Sequence, residues 1–221
     1  MKLSIVIPCL DEAQRIGPAL EALAPLRARG HEVIVVDGGS SDGTAAIARG
    51  RCDAVLSAPR GRAAQMNAGA AAATGDVLVF LHADTVLPGG AEKEILRGIE
   101  NHSWGRFDVD IEGRHPLLKV VAFMMNARSR LSGIATGDQA IFVRREAFAG
   151  FPPIELMEDI AFSAAMKKRR GPPACLRARV RTSGRRWEAR GVLRTILLMW
   201  RLRLAFALGA PPERLRRLYE S

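Results

Sequence analysis

The chain has 221 residues, 48% hydrophobic and 25% charged, and its 33 Lys plus Arg against 23 Asp plus Glu give a formal net charge of +10. This balance excludes a disordered chain and allows one substantial core with a C-terminal elaboration. The positive excess favours an anionic partner: a diphosphate, an acidic membrane surface or nucleic acid.

Leu3 to Ile7 reads as a buried strand running into Pro8, Cys9, Asp11 and Glu12, with a helix expected from Pro18 through Leu20, Leu23 and Leu26. Val33 to Val36 is a second strand ending at Asp37, and the glycine-rich loop Gly38 to Gly43 leads to a short helix over Thr44 to Ala48. Glycines there permit positive φ and close approach of the backbone to a ligand. The alanine-rich stretch GRAAQMNAGAAAATG predicts a helix closed by Gly75, followed by a strand over Val77 to Leu81 that leaves the sheet through His82, Ala83 and Asp84. Pro88 to Glu100 is again helical, and this alternation predicts a parallel α/β sheet.

The pattern then changes. Phe107, Val109 and Ile111 alternate with Asp108, Asp110 and Glu112, the period of a strand with one wet face, so the sheet is mixed. A helix follows over Leu117 to Leu131, then a strand over Ala140 to Val143. Glu158 to Lys168 is a helix whose first turn carries Glu158 and Asp159, where the macrodipole favours acids. Leu176, Ala178 and Val180 make a late half-exposed strand among arginines. Val192 to Leu208 is too short for a membrane span and carries Arg194, Arg201 and Arg203, so this helix either covers the core or lies on a bilayer. The domain boundary is expected near residue 190, with 191–221 as the helical extension. The N-terminus reads as a first strand, not a signal segment, and Cys9, Cys52 and Cys175 lack metal-ligand spacing, which fits a reducing, cytoplasmic setting.

Acids at successive strand ends are the chemical signature of this chain, because ligands of open α/β sheets bind beyond the carboxyl ends of the strands. Carboxylates gathered there repel one another unless a cation joins them, and hard oxygen donors suit Mn²⁺ or Mg²⁺ carrying a phosphate ligand. Asp53 and Glu21 read as ordinary solvated acids.

The segments IVIPCLDE, VVDGGSSDGT, the NAG of Asn67 to Gly69 with TGDVLVFLHADT, and LMEDIAF resemble the family 2 glycosyltransferases of the GT-A fold over residues 1 to 170. SGRRWE at Ser183 to Glu188 is similar to the family's Arg-Trp motif on the acceptor side, and the MED and RRW pair marks a compact bacterial subgroup. The resemblance implies transfer of a sugar from a nucleotide-diphosphate sugar, UDP- or GDP-linked, to an acceptor hydroxyl with inversion, using Mn²⁺ or Mg²⁺. It implies that Pro8, Asp11, Glu12, Asp37, Arg62 and Asn67 bind the donor nucleotide and that Asp84 holds the metal. Asp159, beside Glu158, is the implied base, and Asp138, Gln139, Arg185, Arg186 and Trp187 the acceptor side. The chain departs from the family pattern at Gly38, where a second acid is common, and at His82, which replaces the first acid of the DxD motif. The acceptor is unspecified, and a lipid-linked one suits Leu193 to Leu208. A sugar-nucleotide-forming nucleotidyltransferase is the alternative enzyme, but CLDEAQR stands where its glycine- and lysine-rich loop belongs. A basic nucleic-acid module is the second alternative, and it leaves the strand-end acids without a purpose.

Overall fold

The computed structural model describes residues 1–220, so Ser221, the last residue of the expected extension, lies outside the described residues. The chain opens with β1 (Leu3–Cys9), α1 (Ala13–Ala28), β2 (Glu32–Asp37), α2 (Thr44–Ala48), β3 (Ala54–Ser57), α3 (Arg62–Ala72) and β4 (Val77–Phe80). It continues with β5 (Thr85–Val86), α4 (Ala91–Glu100), β6 (Trp104–Glu112), α5 (Leu117–Ser132), a 3₁₀ turn at Gly137–Gln139 and β7 (Ile141–Arg144). The last elements are α6 (Glu158–Arg170), β8 (Ala174–Ser183), α7 (Arg185–Arg190), α8 (Val192–Ala207) and α9 (Pro212–Glu220).

The strands form one sheet in the order β3-β2-β1-β4-β7-β6-β8-β5. β1 to β4 are parallel neighbours, β7 runs antiparallel to both β4 and β6, and β8 lies parallel to β6. Successive residues of the central strands face opposite sides. Ile5, Val35 and Val79 pack with Ile16 and Leu20 of α1 and Ile95 of α4, while Val6, Val36 and Leu78 pack with Met66 of α3 and Phe162 and Met166 of α6. Both faces are covered by helices, which is why these strands read as unbroken apolar runs. Gly69 lets α3 lie flat on β1, since a Cβ there would stand 2.3 Å from Val6 Cγ1.

The sheet is mixed and flanked by helices, as expected, with four local differences. α1 begins at Ala13, with Pro18 and Pro25 inside it. Burial of Ile16, Leu20 and Leu23 outweighs the backbone hydrogen bonds those prolines forgo. β3 is a short, half-exposed edge strand without an alternating pattern to announce it, and β5 is only two residues long. Arg185 to Glu188 of the SGRRWE motif, to which the sequence assigns no element, form the start of the helix α7.

Candidate active site

At the carboxyl ends of β1 and β2 three acids fold one loop. Asp37 is buried and accepts hydrogen bonds from Gly39 N (3.1 Å), Ser40 N and Ser40 Oγ. Asp11, held at φ 53°, accepts from Ser41 N at 2.8 Å. Asp42 accepts from Ala13 N at 2.9 Å and from Thr44, and these bonds hold its carboxyl below the ordinary value. Gly39 and Gly43 take positive φ within the loop, as its composition predicts. From α3, Gln65 Nε2 donates to Cys9 O (2.7 Å) and Val36 O (2.8 Å), pinning the two strand ends together.

A second group of acids is neutralised by cations from the far end of the chain. β5 pairs with the end of β8, Thr85 Oγ1 meets Thr182 Oγ1 at 3.0 Å, and Ser183 N donates to Asp84 O. That pairing sets the first turn of α7 against the strand-end acids. Arg185 Nη2 donates to both oxygens of Glu12 at 3.0 Å and stands 4.0 Å from Asp84 Oδ2. Arg186 lies 3.6 Å from Glu12, and Arg15 adds a bond at 3.0 Å. Glu12 is largely buried, so its charge requires such partners.

The cluster continues across the crevice. His82 Nδ1 stands 3.3 Å from Asp138 Oδ1. Burial pushes the Asp138 carboxyl up, but the His82 hydrogen bond and the charges of His82, Arg62 and Arg186 bring it below its ordinary value. Asp159 is half-buried and accepts from Gly137 N at 2.8 Å and from Ile160 N at 2.7 Å, so the 3₁₀ turn and the first turn of α6 fix its carboxylate. Glu158 is buried, 3.4 Å from Arg62 Nη1, and burial followed by the neighbouring Asp159 charge raises its pKa despite Arg62. Two glutamates, six aspartates, His82 and arginines of α1, α3 and α7 thus gather on the carboxyl side of the sheet.

Some expected site residues are committed elsewhere. Asn67 exchanges two hydrogen bonds with the backbone of Phe151, at 2.9 and 2.7 Å, and thereby ties α3 to the segment before α6. Gln139 is fully buried and bonds Thr136 N and Asn126 Oδ1, so it shapes the turn that presents Asp138. Trp187 packs, partly buried, against the core. Pro8 lies in register with Val36 inside the sheet. Two residues escaped the sequence reading: Gln65, which looks like any helical polar residue, and Arg128 of α5. Arg128 keeps Nε and Nη2 buried without hydrogen-bond partners; burial pushes its pKa down while the Asp159 charge opposes.

Among the described residues no three His, Cys, Asp or Glu side chains come together as a complete ligand set. Asp84, at the end of the strand-exit segment, presents its carboxylate 4.0 Å from the Arg185 guanidinium. One carboxylate fits a Mn²⁺ or Mg²⁺ that takes its remaining ligands from water and substrate phosphates.

Residues 4–148 match the family model for glycosyl transferase family 2. An uncharacterized glycosyltransferase of Nostoc sp. is 31% identical over 93 residues, covering 39% of this chain and 29% of that protein. The succinoglycan biosynthesis protein ExoA of Rhizobium meliloti is 53% identical over 49 residues, 20% of this chain and 14% of that one. The chain therefore spans well under a third of the curated relatives it matches. In three dimensions it resembles S. aureus TarS 1-349 in complex with UDP-GlcNAc, with a TM-score of 0.66 and 19% identity over 83% of this chain and 58% of that one. It also resembles glucosyl-3-phosphoglycerate synthase of Mycobacterium tuberculosis in complex with Mn²⁺, UDP and glucosyl-3-phosphoglycerate, with a TM-score of 0.62 and 18% identity over 82% of this chain and 70% of that one. The fold is accordingly GT-A, and with the family model covering more than half of its length, the chain belongs to glycosyl transferase family 2.

Proposed function

We propose that this chain transfers a sugar from a UDP- or GDP-linked donor to an acceptor hydroxyl, with inversion at the anomeric carbon. The observation that carries this reading is the guanidinium of Arg185, set between Glu12 and Asp84 at the carboxyl edge of the sheet. A site that already balances its acids with a cation is prepared for a ligand bringing both a cation and a diphosphate. The neighbours bound to UDP support a nucleoside diphosphate in the crevice.

Each residue then has a task. The loop built by Asp11, Asp37 and Asp42 walls the nucleoside, and Asp84 would hold Mn²⁺ or Mg²⁺, which supplies positive charge where the leaving diphosphate gains negative charge. Arg185 and Arg186 turn from Glu12 toward the diphosphate and hold it. Asp159, oriented by Gly137 N, takes the proton of the acceptor hydroxyl as its oxygen attacks the anomeric carbon, and the C–O bond to the diphosphate breaks on the opposite face. One base and one displacement invert the centre. Glu158, buried and paired to Arg62, positions Asp159, and the Asp138 turn borders the acceptor side. A lipid-linked hydroxyl is the acceptor we favour, with the protein acting at the cytoplasmic face of a membrane.

Thermal unfolding with UDP or GDP, with and without Mn²⁺, tests the donor site. Nucleotide plus metal at about 100 times its Kd should stabilise the wild type by about 2.7 kcal/mol. Asp84→Ala should lose the metal-dependent part, and equal stabilisation of both proteins would remove Asp84 from the metal site.

A further inference from the structure

Helix α8 turns two opposite faces to its surroundings. Val192, Thr195 and Leu202 are buried against the domain, whereas Leu193, Leu197, Trp200 and Leu204 are each more than 60% exposed. Their spacing of four, three and four residues aligns them in one stripe on the side away from the domain, and Leu208 extends it. At 1.5 Å per residue the stripe is about 22 Å long, so it suits a helix lying along a surface. No helix among the described residues is long and apolar enough to cross a membrane. The packed neighbour α5 repeats the arrangement: Leu118, Val121 and Ala122 are buried, and Val120, Phe123, Met124 and Leu131 are exposed. Isolated exposed leucines are ordinary, but two adjoining helices with unburied apolar faces mark an interaction site.

Charge selects the occupant. Neither α5 nor α8 contains an Asp or Glu, while Lys119, Arg194, Arg201 and Arg203 accompany the apolar stripes. On the α8 wheel Arg194 and Arg201 flank the stripe on one side and Arg203 on the other. At the first turn of α8 a cleft of about 580 Å³ opens between Arg114, His115, Leu193 and Arg194. Glu188 also lines it, but its Oε1 accepts the backbone N–H groups of Arg114 and His115. A second copy of this chain would bring two acid-free, arginine-flanked surfaces together. An anionic lipid surface offers phosphates to the arginines and acyl chains to the stripe.

We infer that the exposed faces of α5 and α8 form a docking surface for anionic phospholipid bilayers, with Leu197 and Trp200 entering the interface and Arg201 and Arg203 meeting headgroup phosphates. This rests on the exposed faces alone and stands apart from the transferase reading. The full chain is to be floated with vesicles of phosphatidylcholine alone and of phosphatidylcholine with phosphatidylglycerol, and its tryptophan emission followed. Trp104 is buried and Trp187 packs on the core, so Trp200 reports the environment of the stripe. The protein should bind the anionic vesicles with a blue shift and should weaken with added salt. Leu197→Glu and Trp200→Glu should each lower partitioning at least about tenfold, while Arg201→Gln and Arg203→Gln should each lower it about fivefold on anionic vesicles only. Leu197, Trp200 and Arg201 are exposed and Arg203 is half-buried, all outside the crevice, so melting temperature and UDP binding should stay at wild-type values. Absence of binding to anionic vesicles by the folded protein, undiminished binding of Leu197→Glu, or a stable dimer that Leu197→Glu dissolves in the absence of lipid would overturn the inference.

Discussion

The acids of this chain fall into two groups that solve the same electrostatic problem differently. Asp11, Asp37 and Asp42 lie within about thirty residues of their partners and are satisfied by N–H and O–H groups of one loop. Glu12, Asp84 and Asp138 answer to Arg185, Arg186 and His82, which come from other elements, Arg185 being 173 residues from Glu12. The first group is completed by local backbone geometry and so is rigid before any ligand arrives. The second is completed by side chains, whose guanidinium groups can exchange one anion for another. A shaped wall and an exchangeable charge balance are the two features on which the proposed donor site would draw.

This contrast breaks most sharply at Asp159. Asp159→Asn keeps the shape and the bond to Gly137 but removes the proposed proton acceptor, so transfer should fall about 10²- to 10⁴-fold with UDP affinity retained. Undiminished turnover in a coupled UDP-release assay would eliminate it as the base. Next in size is Arg185→Ala, which removes the proposed charge-assisted partner of the donor phosphates. UDP affinity by calorimetry should drop about 10- to 100-fold. Asp37→Ala strikes the other group: it strands the Gly39 and Ser40 donors and should cost about 1–3 kcal/mol of stability in a urea titration. Metal dependence should be unchanged in that variant, and a lost Mn²⁺ effect would erase the distinction between the two groups.

The smallest effect is one of pH. Glu158 has its pKa raised, by burial and then by Asp159, so the folded state holds a proton that the unfolded chain releases near 4.5. Its unfavourable contribution is absent below that value and grows as pH rises toward the folded pKa. Glu158→Gln should therefore gain stability relative to the wild type as pH increases from about 4.5 to neutrality. Asp42 has the opposite sign: its folded pKa is depressed, so its stabilisation is present above the ordinary Asp range and disappears as pH falls through the folded value. Parallel stability–pH curves for the wild type and Glu158→Gln would refute the Glu158 assignment.

Much of the fold is legible because burial writes itself into the chain. β1, β2 and β4 are covered on both sides and so appear as apolar runs, each followed by the acid at its end. β3 and β5 carry no such mark, since a four-residue edge and a two-residue pair depend on partners far away in sequence. Residue type does not tell which partner a side chain takes: Asn67 and Gln139 have the chemistry of ligand-binding groups, and here they bond peptide and side-chain groups of their own fold. Arg185 was visible as part of a motif. Its partner was not, because only the β5–β8 pairing brings that arginine to Glu12. Arg128 gives no local signal at all, for its meaning lies in donors left unsatisfied after folding.

The two-residue strand β5 has a mechanical consequence. Asp84 and Arg185 are fastened to the same short ribbon through Thr85, Thr182 and Ser183, and so they travel as one piece. Glu12 sits on the opposite bank, between β1 and α1, joined to Arg185 by side-chain atoms alone. The contacts from Glu12 to Arg185 and Arg186 therefore rest on rotatable side chains, whereas the tie between Asp84 and Arg185 rests on paired backbone. Any rotamer change at Glu12 would leave the spacing of Asp84 and Arg185 as the ribbon sets it.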